Sequence, residues 1–232
     1  MSDPEYGETW TYESIVGALP GIDVSTRLAV AIQVVVFEGT VIGLAAIYGL
    51  WRAVPAATVA ILVAAAGSIE MVRISRVVRE EAVPESYRRL LFGSSIEVVL
   101  AVLAYVALVT HLFVFGPRYA DVPLLERLLG PDPPVVAVYL LLLVLWDVCY
   151  RIGTGWWASV AALWRSIHFE FDPETAARLR RADLETMGFG LLQLALLPAL
   201  VDAPVLAIAV AGHVVAVTLV TGVSVLLLGR PD

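Results

Sequence analysis

Asp147 and Arg151 stand four residues apart inside LLLLVLWDVCYRIGTGWW, a stretch otherwise apolar enough to lie in a membrane. That spacing puts acid and base on one face of a helix, with the acid N-terminal, the orientation the helix dipole favours. An ionisable group in hydrocarbon costs several kcal/mol, so it normally faces protein or a water-filled cavity and marks a functional site by default. The same argument applies to Glu38, Glu70, Arg73, Glu97, Glu185 and His213, each set in or beside a long apolar run. Together Glu38, Glu70, Glu97, Asp147 and Glu185 supply five carboxyls against two guanidiniums, Arg73 and Arg151, an excess of three acids. In a medium of low dielectric such an excess is met by protonation, by proton sharing or by a bound cation, which is the chemistry of an ion or proton pathway.

A purely structural account stands beside that one. Glu97 and Glu185 fall near expected helix N-termini, where unpaired N–H groups welcome an anion. Glu70 and Arg73 can snorkel to the interface, and Asp147 with Arg151 can be an internal pair. Glu38 resists this account, because no arginine lies within a turn of it. No HExxH, HxxxH or ExxH spacing is present, so neither a metal site nor a cofactor is expected. His111 and His168 sit near span ends and read as interfacial. The single cysteine, Cys149, excludes a disulfide framework and reads as packing. With no catalytic motif, the expectation is a protein that is not an enzyme.

Composition decides what must position these residues. Of 232 residues 59% are hydrophobic, and apolar runs of membrane-spanning length recur, the pattern of a polytopic membrane protein. The net charge is -7 and all 15 cations are arginine, which disfavours nucleic acid as a partner. Acid excess without lysine fits a salt-rich environment, where salt screens the self-repulsion of a carboxylate surface.

The expected architecture is an all-α bundle of six transmembrane helices, residues 25–232, behind an N-terminal cytoplasmic or interfacial segment, 1–24. In the segment, positions 12, 15, 16 and 19 share a helical face. The spans are expected near 27–50, 56–74, 90–115, 135–153, 184–201 and 204–228. The run from Val135 to Ile167 exceeds the roughly 30 Å hydrocarbon core at about 1.5 Å per residue. It is therefore broken near Gly153–Gly155, leaving 156–167 as a cytoplasmic interfacial helix with its tryptophans at headgroup level. Asp172-Pro173 reads as an N-cap and first-turn proline, opening a short helix to about 182. Gly39 and Gly43 form a GxxxG that permits close helix approach.

Eleven arginines flank one side of these spans and three the other, so both termini are expected in the cytoplasm. Counted from the outer helix ends, the five acids and Arg151 lie roughly 18–28 Å deep, and His213 about 14 Å. FEGTVIGLAA, IEVVLAVLAY and LETMGFGLLQ each place Glu second, which suggests three hairpins related by a pseudo-repeat.

The segments LLFGSSIEVVLAVLAYVALVTHLFV, LWDVCYRIGTGWWASVAALWRS and RADLETMGFGLLQLAL resemble an uncharacterised family of haloarchaeal multi-pass membrane proteins. The resemblance covers most of the chain and implies no activity. Two functions remain in view. One is a small transporter or channel-like protein of the cell membrane, moving a cation or an H+- or Na+-coupled solute. The other is a non-catalytic scaffold or complex subunit, docking a membrane partner or a second copy of itself.

Overall fold

The computed structural model describes Trp10 and residues 26–228, and these are helical almost throughout. Helix α1, Thr26–Tyr48, ends at Gly49, whose φ of 73° is the left-handed conformation that closes helices. A turn through Trp51 leads to α2, Val54–Glu80, with Pro55 in its first turn where no N–H is needed. Helix α3, Glu85–Phe92, is separated from α4, Ile96–Thr110, by Gly93–Ser95. Beyond α4 the chain widens into a π-helical turn, His111–Phe115, and then a single turn, α5, Gly116–Tyr119. Short α6, Leu124–Leu129, precedes the long α7, Val135–His168. Helix α8, Pro173–Leu192, tightens into a 3₁₀ segment, Gln193–Leu200, and α9, Pro204–Leu228, completes the described chain.

The long helix α7 is the hub, packed against α1, α2, α3, α4, α8 and α9. At its crossing with α4, Gly153 lets the backbones meet: a Cβ there would lie 3.0 Å from the Ala101 nitrogen. One apolar cluster, with Tyr87, Leu91, Phe92, Trp157 and Leu179, fills the end that carries the arginine-rich loops. A second, with Val41, Ile61, Val144 and Val148, joins α1, α2 and α7 toward the other end. Outward faces are apolar as well: Val35, Ile208 and Leu226 are 70%, 71% and 72% exposed. Such surfaces suit lipid, and among the described residues five helical stretches are long and apolar enough to cross a membrane.

Several expectations change. The break at Gly153–Gly155 is absent, because α7 runs unbroken for 34 residues. Both glycines are buried at crossings, where a small residue serves packing. The stretch 156–167 is therefore a continuation of α7, and Trp157 is buried in it, its indole donating to the Leu91 carbonyl at 3.2 Å. The short helix to 182 and the span from 184 are likewise one helix, α8, whose irregularity falls at Gln193–Leu200, around Pro198. Among the described residues five apolar stretches of spanning length stand where six were expected, because residues 184–201 are divided between α8 and the 3₁₀ segment. Gly39 and Gly43 meet no neighbour within 4 Å, so that GxxxG makes no close crossing among the described residues. The interfacial helix expected at 12–19 lies outside the described residues.

Candidate functional site

The pair expected at Asp147 and Arg151 forms, Nη2 to Oδ1 at 3.1 Å, with the Arg151 side chain 2% exposed. Gln33 of α1 donates to the other Asp147 oxygen, while Arg151 Nη1 lies 2.9 Å from Met71 Sδ on α2. The pair thus ties α1 and α2 to α7. Glu38 is half-buried and accepts from Thr58 Oγ1 at 2.7 Å. That bond joins α1 to α2 apart from the other acids. Glu97 is wholly buried in the first turn of α4. Glu185 stands in mid-helix, so the dipole explanation does not hold for it; it bridges Arg73 of α2 and Arg181 of its own helix. His213 is set away from these groups, edge-on to Trp156 with ring centroids 6.0 Å apart.

Glu70 does not snorkel outward. It is 7% exposed, and Thr186 Oγ1 lies 2.7 Å from its Oε1. The same hydroxyl is 3.2 Å from the Ala182 carbonyl. Thr186 has one proton for two acceptors, so its bonding depends on which of them it serves. Among the described residues Glu70 makes no ion pair.

A second buried charge cluster was invisible in the sequence. Arg165 Nη2 meets Asp183 Oδ2 at 2.7 Å, with side chains 2% and 5% exposed. Ser224 of α9 donates to the same carboxyl oxygen at 2.7 Å, and the guanidinium lies over the Tyr87 ring, 5.3 Å from its centroid. Four helices therefore meet on one ion pair. Beside it lies a void of about 10 Å³, lined by Asp183, Arg165 and Thr186 among others, about the room one water requires. Trp10 seals this end, fully buried, donating to the Met71 carbonyl at 2.9 Å and standing edge-on to Phe92. Outside the membrane-spanning helices, Asp172 caps α8 by accepting from the backbone N–H groups of Glu174 and Thr175, both at 3.0 Å. The bond from Thr175, foremost, holds its carboxyl below the usual range.

The opposite half of the bundle is open inside. A half-open cavity of about 620 Å³ lies among α1, α2, α4, α6, α7, α9 and the 3₁₀ segment. Its walls are overwhelmingly alanine, leucine and valine, with His111, Cys149, Gln193 and His213 as their polar members. Gln193 is 1% exposed, and neither its Oε1 nor His213 Nε2 has a hydrogen-bond partner among the described residues.

One helix joins the two halves. Thr186, Phe189 and Gly190 of α8 and Gln193 at the start of the 3₁₀ segment follow helical spacing along one face, and all four are buried. Thr186 meets Glu70, and Gln193 lines the cavity about 10 Å farther along the axis. Between them the Phe189 ring nests against two glycines. A Cβ at Gly67 would lie 2.8 Å from the ring, and one at Gly155 3.2 Å.

A family model matches residues 5–224, nearly the whole chain. The chain belongs to DUF7530, a family of unknown function. No curated protein and no solved structure matches it. Membership agrees with the resemblance to an uncharacterised family and brings no assigned residues.

No group of three metal-ligating side chains occurs among the described residues. Thr186, Phe189, Gln193, Asp183, Tyr87 and Ser224 are the residues that sequence reasoning missed. Only Gln193, a lone amide in an apolar run, carried a readable signal.

Proposed function

We propose that this DUF7530 protein is a small membrane transporter that couples movement of a solute to H+ or Na+. Its six crossings, α8 with the 3₁₀ segment being the fifth, leave both termini in the cytoplasm. What carries the reading is the shared face of α8, which links buried Glu70, through Thr186 and the Phe189 plug, to a cavity in the other half of the bundle. A carboxyl inside a bundle without an ion pair is the kind of group that exchanges a proton or cation as its surroundings move. The change from α to 3₁₀ geometry at Gln193 is the kind of helix irregularity that often marks a hinge. Irregular backbone at membrane depth is tolerated where it lines a cavity. No catalytic step is part of this role, and the carboxylate-rich composition suits a salt-adapted cell.

The test is flux. In proteoliposomes an imposed pH or Na+ gradient should collapse faster with the wild type than in empty vesicles. Glu70→Gln should fold and abolish the difference. Absence of flux together with a co-purifying membrane partner favours the scaffold reading, in which exposed Arg180 and Arg181 are the docking surface.

A further inference from the structure

The large cavity has the features of a binding site for a particular chemistry. Its volume of about 620 Å³ falls within the range of small-molecule pockets, and its lining is apolar with a few polar groups. No charged side chain lines it. A phosphate headgroup would find no guanidinium inside, so a phospholipid could enter only by an acyl chain, which brings no donor to the wall. Two polar atoms in the wall, Gln193 Oε1 and His213 Nε2, lack partners among the described residues. Groups left so are costly unless a donor completes them.

The entrance is also built. The π-helical turn His111–Phe115 borders both this cavity and a second one of about 420 Å³, which reaches Tyr119 and Asp202 at the rim. Single π-helical turns inside α-helices recur at functional sites. Helix α6 covers the large cavity with Leu124, Leu125, Leu128 and Leu129. It is fastened by Arg127, which pairs with Asp202 and donates to the Ala199 carbonyl at 3.0 Å. Arg127 therefore ties the cover to the far end of the same 3₁₀ segment that begins at Gln193.

We infer that the cavity binds a neutral lipophilic alcohol, its hydroxyl donating to Gln193 Oε1 or His213 Nε2 and its apolar body filling the space between α4 and α7. The site deepens the transport reading by naming the solute class, yet binding does not require transport. Binding without flux would remove transport and leave the site. Flux without binding would do the reverse.

The test uses the full chain in liposomes and three photoreactive diazirine probes of equal length: a long-chain alcohol, the matching alkane and the matching phosphate monoester. The alcohol should label peptides containing Leu140, Val144 or Ala209, at least fivefold more than the alkane or the phosphate. Gln193→Leu combined with His213→Phe, which removes both orphan acceptors, should reduce alcohol labelling to the alkane level and leave alkane labelling unchanged. Arg127→Gln should speed the exchange of bound alcohol. Equal labelling by alcohol and alkane in the wild type overturns the inference, whether or not the variants fold. Preferential labelling by the phosphate overturns it too, identifying a lipid cleft instead.

Discussion

Replacing Arg165 and Asp183 singly and together tests whether the arginine-rich end is held by one buried charge pair. Their contact at 2.7 Å is almost completely desolvated, and it joins α7 to α8 while Ser224 and Tyr87 bring in α9 and α3. Asp183→Leu leaves a guanidinium in the core, and Arg165→Met leaves a carboxylate there. Each should cost about 3–5 kcal/mol, because the remaining charge keeps its desolvation penalty without its partner. The double change removes both penalties and should fall within about 1 kcal/mol of wild type, or above it. At about 2–4 °C per kcal/mol for a chain of this size, each single change should lower the Tm by roughly 6–20 °C. Thermal unfolding in mild detergent, followed by circular dichroism, measures all four proteins. The predicted coupling, the sum of the single losses less that of the double, is about 5 kcal/mol or more. Losses that add to within about 0.5 kcal/mol would mean that the charges do not sense each other, and that the four helices are held by apolar packing alone.

Gly67→Ala should destabilise by about 1–3 kcal/mol through overpacking, since its Cβ would stand 2.5 Å from Arg151 Cβ and 2.8 Å from the Phe189 ring. Gly43→Ala meets nothing within 4 Å and should be neutral or stabilising by up to about 1 kcal/mol; Tm values in detergent compare the two. Trp10→Ala removes a fully buried indole and its bond to the Met71 carbonyl, and should cost about 3–5 kcal/mol and expose α2 to limited proteolysis. Asp172 has a depressed pKa, so its capping contribution is complete above the ordinary Asp range and is lost as pH falls through the lower folded value. Amide exchange at Glu174 and Thr175 should therefore be unchanged between pH 5 and 8 relative to the rest of α8, and rise selectively in Asp172→Ala.

How far the sequence discloses this structure depends on where each partner lies. The Asp147–Arg151 pair is legible because both members occupy one helix and i, i+4 spacing determines the contact. The Asp172 cap is legible for the same local reason. Arg165 is not: read by position it belongs to a cytoplasmic flank, but tertiary packing brings it to Asp183 and Ser224, 18 and 59 residues away. Trp10 reaches across 61 residues to Met71, beyond any periodicity argument. The unbroken course of α7 shows a different failing. Gly153-Thr154-Gly155 signals weakness in an isolated helix, but Ala101 and Phe189 pack against the glycines and make them contact points. The cavity left no trace in the pattern, since leucines facing a void and leucines facing lipid read alike.

The most direct measurement of the coupling account is solvent access along α8. With Cys149 replaced by alanine, single cysteines at Thr186 and Gln193 should react with membrane-impermeant thiol reagents from opposite sides, Thr186→Cys from the cytoplasm and Gln193→Cys from outside. An imposed pH or Na+ gradient should change the two rates in opposite directions, as expected if Phe189 separates two compartments that open in turn. If neither position reacts from its predicted side under any gradient, or if both react from one side at fixed rates, the face linking Glu70 to the cavity is static packing and the transport account fails.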